Sequence, residues 1–346
     1  MSGRLLRLVC TVAVTASVVL APTRAAADPA PDERPLSELL TDLSQQYRGA
    51  ERATEAYNAT AGKLARQRAE WARLDARLAT ARRSLDDGRG TAGRLARQQY
   101  QGVSGISPYV RLLLARDPQT MLDEGHVIGR LARERAEAVT RLSGGARRAD
   151  ALAHAARRAL DRQRSLTEQR RKDRDTVRAK LAGVERLLAS LSPERLAELT
   201  RLEQERTAAA QNELLASGTM GDDDRPPSPA AGSALRYAVD QIGKPYRWGA
   251  AGPASYDCSG LTSRAWRAAG RSIPRTSQDQ WARLPHVPLN ALRPGDLVLY
   301  HPDATHVAMY AGHGMVVQAP RPGATVTLTP LATAPVLGAV RPDTAV

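Results

Sequence analysis

Phenylalanine is missing from this 346-residue chain, all aromatics together make up 4% of it, and there are two cysteines. So thin an aromatic content, with no aromatics interleaved among the basic residues, argues against nucleic acid as a partner despite the formal charge of +14. Cys10 lies in an N-terminal apolar stretch, so once that stretch is removed Cys258 is the only thiol and an internal disulfide is excluded. Lysine is nearly absent, with four residues against a great excess of arginine. That imbalance reads as arginine placed on solvated helix faces, and no site is assigned to the charge. No apolar run after residue 21 is long enough to cross a bilayer.

What is present at the N-terminus predicts export. Arg4 and Arg7 precede an apolar stretch over residues 8–21, and Ala25, Ala26 and Ala27 form a small-residue cleavage site before Asp28. Residues 1–27 are expected to be a secretory signal peptide, and the mature protein to be extracellular or in the cell wall. Val9 precedes Cys10 where a lipoprotein signal has a small residue, so Cys10 is expected to be removed rather than lipidated. Losing Arg4, Arg7 and Arg24 with the signal lowers the net charge to +11.

Cys258 opens a stretch that reads as a helix, with Leu261, Ala265 and Trp266 on one side and Gly270 as its stop. Asp257 is the expected N-cap, which also narrows the site's entrance. In the first helical turn, free N–H groups and the helix dipole favour a thiolate, so a lowered thiol pKa is expected. Downstream, residues 297–301, 306–311 and 315–319 read as short strands. A turn centred on Gly312 sets His306 opposite Gln318, whose side-chain oxygen accepts the imidazole N–H and fixes the tautomer. His301 and His313 flank the same hairpin, but their spacing lacks the paired pattern of a zinc site.

These residues together resemble the NlpC/P60 family of cell-wall peptidases, papain-like cysteine hydrolases. The resemblance rests on Gly243-Lys-Pro-Tyr246-Arg-Trp-Gly249, Asp257-Cys258-Ser259-Gly260-Leu261, Pro274-Arg275-Thr276-Ser277, Arg293-Pro294-Gly295-Asp296-Leu297, His306-Val-Ala-Met-Tyr310-Ala-Gly312 and Val317-Gln318-Ala319-Pro320. It implies that Cys258 is the nucleophile, His306 the base and Gln318 the polar third residue. It also implies that Tyr246 shares the oxyanion hole with the Cys258 N–H, and that Asp257 and Ser259 line the substrate pocket. By the same resemblance the substrate is the peptidoglycan stem peptide, cut at the γ-D-glutamyl to diaminopimelate bond, with no metal or organic cofactor.

Ahead of this region the chain is rich in Arg, Ala, Leu, Glu and Gln. Leu64, Trp71, Leu78 and Leu85 recur every seven residues with Leu74 and Ala81 between them, and Val177, Leu181, Val184, Leu188 and Leu191 keep the same alternation. Two such arms, broken by Pro108 and Pro118, predict an antiparallel coiled-coil hairpin. Short helices over residues 108–116 and from 119 to about 128 are expected at its tip. Gly88, Gly90, Gly93 and Gly144-Gly145 are candidate hinges, or glycines tolerated at about 1 kcal/mol each against Ala. Ser192-Pro193 reads as a helix restart.

The expected fold is therefore α+β: a signal over 1–27, a helical hairpin over 28–216, a mobile polar linker over 217–232, and a papain-like catalytic domain over 233–346. Docking on a membrane division or regulatory complex, or occlusion of the active site, are the two expected uses of the hairpin. The alternatives are a non-catalytic envelope coiled-coil protein that binds wall peptides, and an amidase or acyltransferase with the same nucleophile.

Overall fold

The computed structural model describes residues 34–101, 110, 113, 114, 117–221 and 225–343. Residues 1–27, expected from the sequence to be a signal peptide, and most of the expected hairpin tip lie outside these residues. Leu, Ala, Arg, Glu and Gln are strong helix formers, and they build α1 (Leu36–Gln101) and α2 (Pro118–Ala189). At about 1.5 Å per residue each arm is on the order of 100 Å long.

The arms are antiparallel. Gln46 meets Gly183, Gly49 meets Lys180, Leu85 meets Gly145 and Gly88 meets Leu142, one number rising as the other falls. Leu64, Leu78, Val177 and Val184 are buried along the seam, and Trp71, Leu74, Ala81, Leu85, Leu181 and Leu188 are half-buried. Both helices run through Gly88, Gly90, Gly93 and Gly144-Gly145 unbroken. A Cβ on Gly88 would lie 3.3 Å from Leu142 Cδ2, and one on Gly145 3.5 Å from Leu85 Cδ1, so leucines of the opposite arm fill that space.

At the tip, residues 119–128 are not a separate helix. Pro118 stands at the first position of α2, where its missing N–H costs nothing, so the return arm begins there and continues without a break. Of residues 108–116, only Val110, Leu113 and Leu114 are described, and they are helical.

At the base, Ser192 caps α3 (Pro193–Ala216) by accepting from the Arg195 N–H, with Pro193 in the first turn. Leu39, Leu40 and Leu43 of α1 close with Val184, Leu191 and Leu199 into one apolar cluster.

The C-terminal region is an antiparallel sheet with helices on one face. Its helices are α4 (Pro229–Val239), α5 (Cys258–Ala268) and α6 (Ser277–Arg283). Its strands are β1 (His286–Val287), β2 (Leu297–Tyr300), β3 (His306–Gly312), β4 (Met315–Gln318), β5 (Thr327–Pro330) and β6 (Val336–Val340), in the spatial order β1-β6-β2-β3-β4-β5. β2 is buried along its whole length because both faces are covered. Leu261, Ala265 and Trp266 of α5 pack on Leu297, Leu299, Val307, Met309 and Val317. On the other face Val298, Tyr300, Ala308, Tyr310 and Val316 receive Leu214 at the end of α3 and Met220 just after it. α3 also reaches the sheet through Gln211, which donates to the Gly314 carbonyl at 2.9 Å and accepts from the Ala332 N–H at 2.9 Å.

The β3–β4 register differs from the expected one by two residues. Met309 pairs with Val317 and Tyr310 with Val316, after which the ladder slips to Gly312 with Met315. Gly312, His313 and Gly314 all take positive φ, which moves the turn centre toward His313 and places an irregularity at Ala311. Continued along the strands, this register sets Gln318 level with Ala308, a diagonal neighbour of His306 on the same face.

The seam carries the arms, so Leu64→Ala, emptying a site only 1% exposed, is expected to destabilise them by about 2–4 kcal/mol. The change should appear as a lower Tm in circular dichroism at 222 nm.

Candidate active site

Cys258 is the first residue of α5, and the geometry there begins with its neighbour. Asp257 caps the helix by accepting from the Gly260 N–H at 2.6 Å. The same carboxylate takes Arg275 at 2.6 Å and 3.0 Å and the Asn58 amide at 3.1 Å. It is fully buried, so its oxygens frame the cleft rather than stand open in it. Gly260 is tightly enclosed, since a Cβ there would sit 2.1 Å from the Ala250 carbonyl oxygen.

His306 starts β3, and its imidazole adjoins the Cys258 thiol. Its Nε2 lies 2.6 Å from Gln318 Oε1, while Gln318 Nε2 donates to Thr329 Oγ1 at 2.7 Å. The amide is oriented by this network. With its nitrogen placed on Thr329, the oxygen accepts the Nε2 proton of His306, which leaves Nδ1 as the nitrogen available for exchange with the thiol. Tyr246 is buried beside Cys258, and its hydroxyl pKa is held well above the usual value by burial, the thiol and the surrounding carboxylates, so it stays a proton donor. Among the described residues, then, Cys258, His306, Gln318 and Tyr246 come together, with Ser259 and Arg275 on the adjoining wall.

The same cleft holds a surface of α1 that the heptad pattern does not reveal. Glu51, Glu55 and Asn58 stand one helical turn apart on one face and are all buried. Glu51 Oε1 lies 3.3 Å from His306 Nδ1, and its other oxygen 4.0 Å from His301 Nε2. Glu55 accepts from Ser259 Oγ at 2.7 Å and the Ser277 N–H at 3.0 Å, and the Cys258 Sγ is 3.9 Å away. Around this core, Arg52 pairs with Asp303 at 2.5 Å, and Tyr57 packs edge-on against Trp248 with ring centres 4.9 Å apart. Arg170 of α2 donates to the Tyr57 hydroxyl at 2.7 Å, tying the second arm to the contact. Gly249, at φ 74°, brings its backbone so near Tyr57 that a Cβ would meet the ring at 3.1 Å.

The electrostatics follow from this burial. The thiol pKa does not fall as the helix terminus alone predicts. It is pushed up to about 11, chiefly by burial, with Glu55 and Asp257 adding to the rise and His306 opposing it. Burial also works against an imidazolium, but Glu51 and the thiol outweigh it and hold the His306 pKa well above 6.5. Glu55 rises to about 7 through burial and the nearby Asp257. The residues missing from the motif reading are thus Glu51, Glu55, Asn58 and Thr329. The only sequence signal for the first three is the i, i+4, i+7 spacing of polar side chains.

Thiol, imidazole and oriented amide are the parts of a nucleophilic acyl-transfer site. Residues 243–338 match the family model described as NlpC/P60 family. Over 94 residues the chain is 49% identical to a probable endopeptidase of Corynebacterium glutamicum, which spans 27% of this chain and 45% of that protein. It is 37% identical over 97 residues to a probable endopeptidase of Mycobacterium tuberculosis, spanning 28% of this chain and 25% of that one. This chain thus covers less than half the length of either curated relative. A solved structure, RipD of Mycobacterium tuberculosis, described as a non-catalytic NlpC/p60 domain protein adapted to peptidoglycan binding, aligns at 26% identity. That alignment covers 33% of this chain and 98% of RipD, with a TM-score of 0.31.

If Thr329 holds the Gln318 amide, Thr329→Val should reduce kcat about tenfold at unchanged KM, within the usual reach of misaligned proton transfer. Thr329→Ser should restore it in the same steady-state assay.

Proposed function

With residues 243–338 forming an NlpC/P60 domain, we propose that the chain is a secreted peptidoglycan endopeptidase whose helical hairpin holds it inactive. The observation that carries the catalytic half is the continuous line Cys258, His306, Gln318 and Thr329 beside Tyr246. In the reaction, His306 Nδ1 takes the Cys258 proton and the thiolate attacks the amide carbonyl. Tyr246 and the Cys258 N–H hold the oxyanion, His306 protonates the leaving amine, and water releases the acyl-enzyme. The bond proposed is the γ-D-glutamyl to diaminopimelate link of the stem peptide, and the reading of residues 1–27 as a signal supports action outside the cell.

The inhibitory half rests on α1. Glu51, Glu55 and Asn58 occupy the space in front of the thiol that a peptide must enter. Removing them requires the base of α1 to leave. The exposed side chains of Tyr100, Leu113, Leu114 and Leu122 near the far end support docking of the tip on a membrane-bound complex that draws the hairpin off.

Mass spectrometry of purified peptidoglycan digested by the mature chain tests both halves. Charge reversal by the double change Glu51→Arg and Glu55→Arg, which sets two cations against Arg275 and His306, should raise the yield of fragments at least tenfold. Adding Cys258→Ala should abolish them. Fragments that persist without Cys258 would remove the mechanism, and equal yields from the reversed and unaltered chains would remove the inhibition.

A further inference from the structure

The closed cleft contains more acidic groups than cations to receive them. From α1 come Glu51 and Glu55, from the start of α5 Asp257 and the Cys258 thiol, and beside them lies the Tyr246 hydroxyl; the groups that can be cations are Arg275, from the loop before α6, His306 of β3, and His301, 4.0 Å from the second Glu51 oxygen and kept toward its neutral form by burial. Arg275 pairs directly with Asp257, at 2.6 Å and 3.0 Å, and reaches Glu55 only through the Ser259 hydroxyl, to which it donates at 2.8 Å, so it opposes the rise of Glu55 without reversing it. Glu51 is the carboxylate at His306 Nδ1. Glu55, only 2% exposed, is left with uncharged donors: Ser259 Oγ, the Ser277 N–H and, at 3.5 Å, Asn58 Nδ2 from its own helix. A buried carboxylate with no cation of its own is costly as an anion and cheap as an acid. The thiol at 3.9 Å meets the same oxygen as a donor, and a thiolate there would be repelled.

We propose that docking of α1 is a proton-uptake reaction in which Glu55 enters the cleft as the neutral acid and Glu51 replaces the Cys258 thiolate as partner of the His306 imidazolium, so that rising pH opens the site. The proposal rests on the inhibitory reading above. On opening, Glu55 gives its proton to water, His306 on losing Glu51 gives one to water as well, and His306 then takes the thiol proton to form the imidazolium–thiolate pair. Closing reverses each step. The hairpin in this scheme disarms the nucleophile as well as covering it.

The sign follows from linkage. Glu55 rises from the ordinary 4.5 to about 7 on closing, so its contribution to closure is full below pH 4.5, declines between 4.5 and about 7, and is spent above that. The raised Cys258 thiol acts in the same direction at higher pH, since its proton is likewise bound only in the closed form, whereas His306 is protonated in both.

The test is alkylation of Cys258, the only thiol of the mature chain, by iodoacetamide from pH 5 to pH 8, in the full mature protein and in Glu55→Gln. In the opened form, the one that is alkylated, α1 is away from the cleft and both chains share the thiol and His306 titrations, so the ratio of unaltered to Glu55→Gln rates isolates the effect of Glu55 on closure. That ratio should climb at least tenfold between pH 5 and pH 7 and then level off. Glu55→Met, which also cannot ionise, should reproduce the Glu55→Gln profile and guards against an effect peculiar to the amide. A ratio constant with pH overturns the proposal. Failure of the inhibitory reading looks different: the unaltered chain would then be alkylated as fast as the doubly charge-reversed chain at every pH. Because alkylation needs no peptide, neither result depends on which bond the enzyme cuts.

Discussion

Asp257 is the group on which the working geometry turns. Its carboxylate closes the first turn of α5 and so sets the position of Cys258, draws the loop bearing Arg275 against the cleft wall, and receives Asn58 from the helical arm. The first turn of α5, the loop before α6 and a helix 199 residues earlier therefore meet on two oxygen atoms. Full burial is sustainable because every contact is a hydrogen bond or a charge partner, and removing any one donor would leave part of the charge uncompensated. Catalytic alignment and hairpin docking are thus not independent properties of this fold.

Around that point the two halves of the protein are joined by different kinds of surface. The arms meet through leucines, valines and small residues, whose separation would expose apolar surface to water. The contact of α1 with the cleft is instead made of carboxylates, an amide, a tyrosine edge and an exposed ion pair. Polar surface of this kind can return to solvent without exposing a large apolar face, which suits the release proposed for the hairpin. α3 adds a second tether, with Glu203 bridging Arg321 at 2.5 Å and 2.9 Å and Arg321 stacked over Tyr47 of α1.

The sequence was most readable where function is tied to local backbone chemistry. An acidic cap before a cysteine, a strand opening on histidine and a turn with glycines on either side of His313 each leave a short signature, and the heptads announce the arms. The hairpin register was misplaced by two residues because the positive φ at His313, a residue without glycine's freedom, is imposed by the folded turn. The period-2 alternation of strands kept His306 and Gln318 on one face despite the error. Glu51, Glu55 and Asn58 were illegible for another reason. On a coiled-coil arm such residues look like an ordinary solvated face, and only contacts with residues some two hundred positions later bury them. Thr329 was missed because β5 is a short edge strand whose residues carry no pattern of their own.

If the hairpin inhibits as proposed, the 66-residue length of α1 makes it a lever as well as a cover. From Asn58 to Gln101 the helix extends about 65 Å, so a rotation of about one degree at the base carries the far end through roughly 1 Å. A modest sideways force at that end acts on the cleft with a long moment arm, while thermal jostling of the base is confined by the close contacts around Asp257. The protein is in this sense stiff where chemistry is guarded and sensitive where it can be handled from a distance.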